Sequence, residues 1–287
     1  MIKNNTGCSN MKLSGIILAG GRSKRFGINK LEIKIGQIPL FIDQVIKLSL
    51  FCDQILIVTS AQNSNFILQE LNKINNYINY YKPLDFSIPE IKVADDEKTQ
   101  IPALKSGEDS VGPIMGIYTG LKNSKNLYNI VVAFDMPFIS EKILNLLISA
   151  LNDKKSSSGK NKIKHLDEEL FDVVITRNLK GFEALCGLYS KNCIGAFQRS
   201  IARGNYKILD VFDKLNSKII TNDLLIKYKV DQLNFFNINK INDYYRFTDI
   251  WNISFSGLDF IKKWKKFFYR KNLYFDRKFQ DPTYIKN

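Results

Sequence analysis

Leu18-Ala19-Gly20-Gly21-Arg22-Ser23-Lys24-Arg25-Phe26-Gly27-Ile28-Asn29-Lys30 follows directly on the apolar run Gly15–Leu18. A strand-type run opening into paired glycines, a serine and a string of cations describes a loop made for phosphate. Glycines let backbone N–H groups approach anionic oxygens closely, and Arg22, Arg25 and Lys30 supply countercharge. The spacing gives neither GxxxxGK[ST] nor a GxGxxG after the strand, which argues against an ordinary P-loop hydrolase or a dinucleotide oxidoreductase. A plain glycine-rich β-to-α turn with a basic solvated face is the alternative that the local residues leave open.

Carboxylates stand at the ends of two further strand-like runs: Asp95 and Asp96 after Ile91–Ala94, and Asp135 after Asn129–Phe134. In an open α/β sheet, ligands bind beyond the carboxyl ends of the strands, where all three polar clusters fall. Carboxylates beside a basic phosphate loop suit Mg²⁺, which takes one or two carboxylates plus substrate phosphates and needs no complete protein cage. Asp135 is the best-placed metal ligand, because Pro137 and Phe138 can fix the backbone just after it; the competing reading is a helix-capping or loop aspartate. Gly112-Pro113-Ile114-Met115-Gly116 is a second glycine-bracketed turn, able to cover a base or aim a helix terminus at phosphates, although a Gly-Pro helix start is commonplace.

The elements that must position these residues alternate. Gly15–Leu18, Gln54–Thr59, Ile91–Ala94, Asn129–Phe134, Phe171–Ile175 and Leu185–Tyr189 read as strands, with Phe235–Ile238 as a short late one. Leu40–Leu48, Asn65–Leu71 and a segment from Ser140 to Leu151 carry helical apolar stripes, and Ser140 is a candidate cap. The pattern predicts an α/β protein, a three-layer Rossmann-like arrangement with a mainly parallel central sheet. Residues 1–12 read as a disordered lead, 13–250 as the catalytic domain, and Asp153–Lys164 as a flexible loop within it. Residues 251–287 form a basic, aromatic appendage.

At 287 residues and 45% apolar composition the chain can bury a sizeable core, and its formal charge of +14 favours anionic partners. Cys8, Cys52, Cys186 and Cys193 lack CxxC spacing and His165 is the sole histidine, so a structural zinc site is not expected and a reducing, cytoplasmic setting is. No run reaches the roughly 18 apolar residues of a membrane helix. In the appendage Phe260, Trp264, Phe267 and Phe268 share one face if helical, among five cations from Lys262 to Arg270. That pattern serves docking on the domain or a second subunit, weak association with an anionic surface, or nucleic acid, which is the least expected of the partners.

Taken in order, these pieces resemble the molybdenum-cofactor guanylyltransferase family of nucleotidyltransferases. The resemblance rests on LAGGRSKRFG..K at 18–30, GPIMG at 112–116, DMPF at 135–138, Glu183–Tyr189 and Phe236-Asn237-Ile238-Asn239. It implies a chain that transfers GMP from GTP to the terminal phosphate of molybdopterin carrying molybdenum, with Mg²⁺ bound and pyrophosphate released. On that resemblance the backbone of Leu18, Ala19, Gly20 and Gly21 would hold guanine and ribose. Arg22, Ser23, Arg25 and Lys30 would surround the triphosphate, and Gly112 and Pro113 would lie over the nucleotide. Asp95 would sit near the nucleoside, Asp135 would bind the metal, and Asn237 and Asn239 would lie near the metal or the acceptor. A partner of cofactor maturation is also implied. The sequence departs from the family pattern at Asn29, Met115, Glu183-Ala184 and the appendage. A cytidylyl or sugar-phosphate nucleotidyltransferase of the same fold, or a non-catalytic binding protein, are the other readings.

Overall fold

Strand β1 (Leu13–Leu18) sends its side chains alternately into two separate cores: Leu13 and Ile17 into one, Ile16 and Leu18 into the other. Its neighbours do the same, with Ile55, Ile57, Ile130 and Val132 on the first face and Leu56, Val58 and Val131 on the second. A strand covered on both sides needs no polar face, which is why these runs are continuously apolar in the sequence. The computed structural model describes residues 11–20, 29–35, 37–81, 88–95, 112–151 and 170–255.

After β1 come a short ribbon of β2 (Lys34–Ile35) and β3 (Ile38–Pro39), helix α1 (Leu40–Ser49), β4 (Gln54–Thr59), α2 (Ala61–Leu71), α3 (Ile74–Tyr81) and β5 (Glu90–Asp95). Then follow α4 (Pro113–Asn123), β6 (Tyr128–Ala133), α5 (Glu141–Leu151), β7 (Val173–Asn178) and β8 (Gly181–Ser190). The remainder is α6 (Cys193–Ala202), α7 (Leu209–Phe212), β9 (Ser217–Ile220), α8 (Asn222–Lys227) and α9 (Ile241–Phe255). The central sheet has the order β5-β4-β1-β6-β8-β7-β9. Only β8 runs against its neighbours β6 and β7, so the sheet is mainly parallel, as the alternating pattern predicts. Helices α1 and α5 cover one face, and α4, α6 and α7 cover the other.

From β1 the chain steps outward through β4 to β5, then returns to lay β6 on the other side of β1. The strand order therefore reverses between β1 and β6, and the crevice beyond their carboxyl ends is the topological switch point. A second irregularity lies at the β7–β8 pairing. Ile175 is opposite Gly187, but the next residue, Thr176, is opposite Glu183. Ala184, Leu185 and Cys186 thus bulge out of this ladder while Cys186 pairs with Val132 of β6.

The expected strand at Phe235–Ile238 is not one. Gln232–Phe235 forms a 3₁₀ turn capped by Asp231, whose carboxylate accepts from the Leu233 N–H. The residues after it run extended but bond to the end of β6 through one contact, Ile238 N–H to Asp135 O at 3.0 Å. Residue type suits a strand there, but among the described residues no neighbouring strand pairs with it. Ser140 directly precedes α5, and both its hydroxyl and its N–H donate to Asn234 Oδ1. The loop expected at Asp153–Lys164 and the aromatic appendage beyond Phe255 lie outside the described residues; α9 runs across the expected boundary at 250, with Trp251 packed on Phe247.

Gly120 lets α4 approach the sheet. A Cβ there would come within 2.5 Å of Ile16 Cγ2. Gly120→Ala is expected to cost about 1–3 kcal/mol by overpacking, outweighing its gain of about 1 kcal/mol in helix propensity. In an Ile16→Ala background the same change should cost clearly less; equal losses in both backgrounds, read by denaturant unfolding, would refute the close approach.

Candidate functional site

Lys30 begins a 3₁₀ turn that Asn29 caps, its side-chain oxygen accepting from the Leu31 N–H. Leu31, 2% exposed, anchors the turn in the core, so the Lys30 ammonium is aimed rather than free to wander. It lies 3.2 Å from Asp135 Oδ2 and 3.3 Å from Asn239 Oδ1. Three residues far apart in the chain thereby meet at the switch point, from the start, middle and end of the described fold.

Asp135 stands just past β6. The turn that carries it is held from below by α1: Gln44 Nε2 donates to Met136 O and Lys47 Nζ to Pro137 O, each at 2.9 Å. Lys47 also pairs with Asp43 at 2.7 Å, and both side chains are buried. A helix whose polar residues point inward is thus explained: Gln44 and Lys47 satisfy carbonyls of a turn that makes no ladder bonds. Burial lifts the Asp43 pKa, and Lys47 pulls it back without cancelling the shift. Asp135 itself is shifted upward, chiefly by burial, with the Lys30 charge opposing.

The bulge in β8 brings a second carboxylate close. Glu183 is half-buried, Oε1 accepts from the Leu185 N–H at 3.1 Å, and its pKa is raised by burial and further by the Asp135 charge. Glu183 borders a cleft of about 280 Å³ that runs from Asn239 between the β7–β8 hairpin and the start of α9. Asn237, Phe236, Lys180 and Arg246 also line it. Asp243 Oδ2 accepts from the N–H groups of both Asn239 and Lys240, fixing the turn that presents Asn239.

The other residues singled out in the sequence fall as follows. Leu18 ends β1 and its carbonyl accepts from Phe134 N–H, while Ala19 donates to Val58 O and accepts from Thr59 Oγ1. These two set the point of departure of the loop, and Gly20 is the first exposed residue after the strand. Gly21, Arg22, Ser23 and Arg25 lie outside the described residues. Gly112 has φ 66° and Pro113 opens α4, a terminus without a side-chain cap. Met115, where the family pattern differs, is fully buried in the α4 core. Asp95 ends β5, where Oδ1 accepts from Ser64 Oγ at 2.7 Å. Three strand spacings, roughly 14 Å, separate β5 from β6, so Asp95 is on the far side of the crevice from Asp135. Asn178, Lys180, Phe182, Asp243 and Arg246 carry no local motif and were not legible as site residues. Glu183 was named in the sequence as the start of the family-like run Glu183–Tyr189 and as a departure from the family pattern, with no role assigned.

A family model described as the MobA-like NTP transferase domain matches residues 15–218. The chain belongs to this family. Among its relatives is the probable molybdenum cofactor guanylyltransferase of Natranaerobius thermophilus, 25% identical over 231 residues, covering 80% of this chain and 92% of the relative. The molybdenum cofactor guanylyltransferase of Desulfosudis oleivorans is 26% identical over 228 residues, covering 79% and 90%. In fold, this MobA-like transferase is similar to molybdopterin-guanine dinucleotide biosynthesis protein A of Archaeoglobus fulgidus, with TM-score 0.56, 22% identity, and 83% and 97% of the two chains covered. A nucleotidyl transferase from Methanothermobacter is similar at TM-score 0.53 and 13% identity, covering 83% and 96%. The matched family segment ends before Asn237, Asn239 and Arg246.

The contacts of Lys47 predict a separation of stability from activity. Lys47→Met should cost about 3–5 kcal/mol, because Asp43 is left buried without its partner. Adding Asp43→Asn should recover much of that stability, yet turnover should stay low because the Pro137 carbonyl is released. Unfolding curves and steady-state rates on the two variants test this, and full recovery of turnover in the double variant would reject a positioning role.

Proposed function

We propose that this MobA-like transferase moves GMP from GTP to the terminal phosphate of molybdopterin carrying molybdenum, releasing pyrophosphate. The observation that carries the reading is the convergence of Lys30, Asp135 and Asn239 at the switch point. The printed names of the guanylyltransferase relatives support the choice of base and acceptor. In this reading Arg22, Ser23, Arg25 and Lys30 would surround the triphosphate, and the backbone of Leu18, Ala19, Gly20 and Gly21 would hold the nucleoside. Asp95, Gly112 and Pro113 bound the nucleoside side of the crevice, and Asn237 and Asn239 face the acceptor side.

Attack by the acceptor phosphate on the α-phosphorus needs no protein base, since the nucleophile is already anionic. What the protein supplies is in-line placement and fixed positive charge where pyrophosphate departs. Lys30, anchored by its 3₁₀ turn, provides such a charge. The donor set also fits Mg²⁺: the Asp135 carboxylate and the Asn239 amide oxygen are hard oxygen ligands on one locus. Among the described residues no group of three or more His, Cys, Asp or Glu gathers, so the remaining ligands would come from nucleotide phosphates and water. When bound, the ion neutralises charge on the phosphates.

Equilibrium binding of GTP, CTP, ATP and UTP with and without Mg²⁺, followed by transfer to molybdopterin, tests the function. Selective, Mg²⁺-strengthened GTP binding and release of pyrophosphate are expected; selective binding of another nucleotide would replace the substrate. Asp135→Asn should lower turnover on the order of 10²–10³-fold. Because burial dominates at Asp135, its folded-state pKa is above that of the unfolded chain, and stability rises as pH falls between the two. Two results follow. The acid limb of turnover should lie above the usual Asp value of about 3.9, and Asp135→Asn should be no less stable than wild type at pH 7. A pH–rate profile and a thermal melt read both. Lys30→Ala should weaken GTP binding about 10-fold or more, and unchanged affinity would reject its role.

A further inference from the structure

The cleft beyond Asn239 is lined by charges of both signs, Lys180, Glu183, Asp243 and Arg246, to which the proposed nucleotide chemistry assigns no role. One wall is the β7–β8 hairpin, the other the 232–246 segment, and charge is arranged across it. Glu183 is sunk at the inner end next to Asp135, whereas Arg246 is exposed at the mouth. Neither is loosely held. The Glu183 carboxylate is oriented by the Leu185 N–H within the bulge. The Arg246 guanidinium lies 5.7 Å over the Phe236 ring, and that ring packs on Phe138 at 5.8 Å. A cation stacked on an anchored ring is already partly desolvated and pays less entropy when it meets an anion.

A half-buried carboxylate at the side of a cleft, with lone pairs beyond the one that Leu185 N–H engages, suits a ligand edge that presents adjacent N–H donors. The amino-pyrimidinone edge of a pterin has two such donors side by side, and the fused ring is flat enough to enter the cleft between the hairpin and the 232–246 segment. Resting on the proposed function, we infer that Glu183 and Arg246 are the acceptor-reading residues. Glu183 accepts from the N–H edge of a pterin-type heterocycle, and Arg246 holds an anionic substituent of the same molecule. At about 280 Å³ the cleft is close to the lower end of small-molecule sites, roughly 300–1,000 Å³, and admits one fused ring system rather than a polymer. Glu183 is then a specificity residue and not a ligand of the metal, although it neighbours Asp135.

The test is fluorescence titration of neopterin monophosphate against the full chain, alongside GTP titration and transfer kinetics. Wild type should bind the pterin phosphate. Glu183→Gln and Arg246→Ala should each weaken it about 10-fold or more, as loss of a charge-assisted contact does. Arg246→Lys should fall between, since it keeps charge without the planar fork. With molybdopterin as acceptor, both variants should raise acceptor KM and leave kcat at saturation within about threefold, with the Mg²⁺ requirement unmoved. No pterin binding by wild type, or equal binding by correctly folded variants, overturns the inference. So does a Glu183→Gln defect confined to kcat and relieved by added Mg²⁺, which would make it a metal ligand. Pterin binding without GTP selectivity leaves this inference standing and removes the guanylyl assignment instead.

Discussion

An ionised carboxylate set into a partly dry crevice is the constraint around which the site is organised. Burial is the largest influence on Asp135 and raises its pKa above the ordinary carboxylate value. Lys30 opposes that tendency from 3.2 Å, yet it can do so only if its own backbone is fixed. That requirement explains the capped 3₁₀ turn and the buried Leu31 beneath it. The turn carrying Asp135 must be fixed too, and α1 does this with polar side chains that a helix of this kind would ordinarily turn to water. The buried Asp43–Lys47 pair is costly to desolvate. Its presence is accounted for by what Lys47 holds.

The acceptor side follows from a different economy of structure. In the central sheet the antiparallel strand β8 enters beside β6, and its register with β7 shifts between Ile175 and Thr176. Glu183 keeps its cross-strand place opposite Thr176 at the near edge of that shift, and its carboxylate accepts from the Leu185 N–H within the bulge. The irregularity thus gives a carboxylate of the hairpin a fixed orientation.

Much of this was legible in the sequence, for physical reasons. Runs such as Gly15–Leu18 and Asn129–Phe134 are apolar without alternation because both faces are covered, and their ends carried the polar residues that turned out to meet. Lys30, Asp135 and Asn239 were readable because local motifs surround them. Glu183, Lys180 and Arg246 were not, since the first depends on a register shift and the others on a tertiary approach between a hairpin and a helix. The strand expected at Phe235–Ile238 shows the same limit: residue type specifies an extended backbone but not whether a neighbour is there to pair with. The inward polar residues of α1 had no signal at all, because Asp43, Gln44 and Lys47 look like a solvated face until the turn they hold is seen.

The segment from Asn234 to Arg246 is fastened to the sheet by side chains rather than by a ladder: two hydrogen bonds from Ser140 to Asn234, the Lys30–Asn239 contact, Phe235, Phe236 and Ile238 buried in the core, and one backbone bond from Ile238 to Asp135. It adds no strand to the sheet and lies beyond the segment that the family model matches, residues 15–218. Because no strand among the described residues pairs with it, a change of side chain along this strap leaves the hydrogen-bond ladder of the sheet beneath it intact.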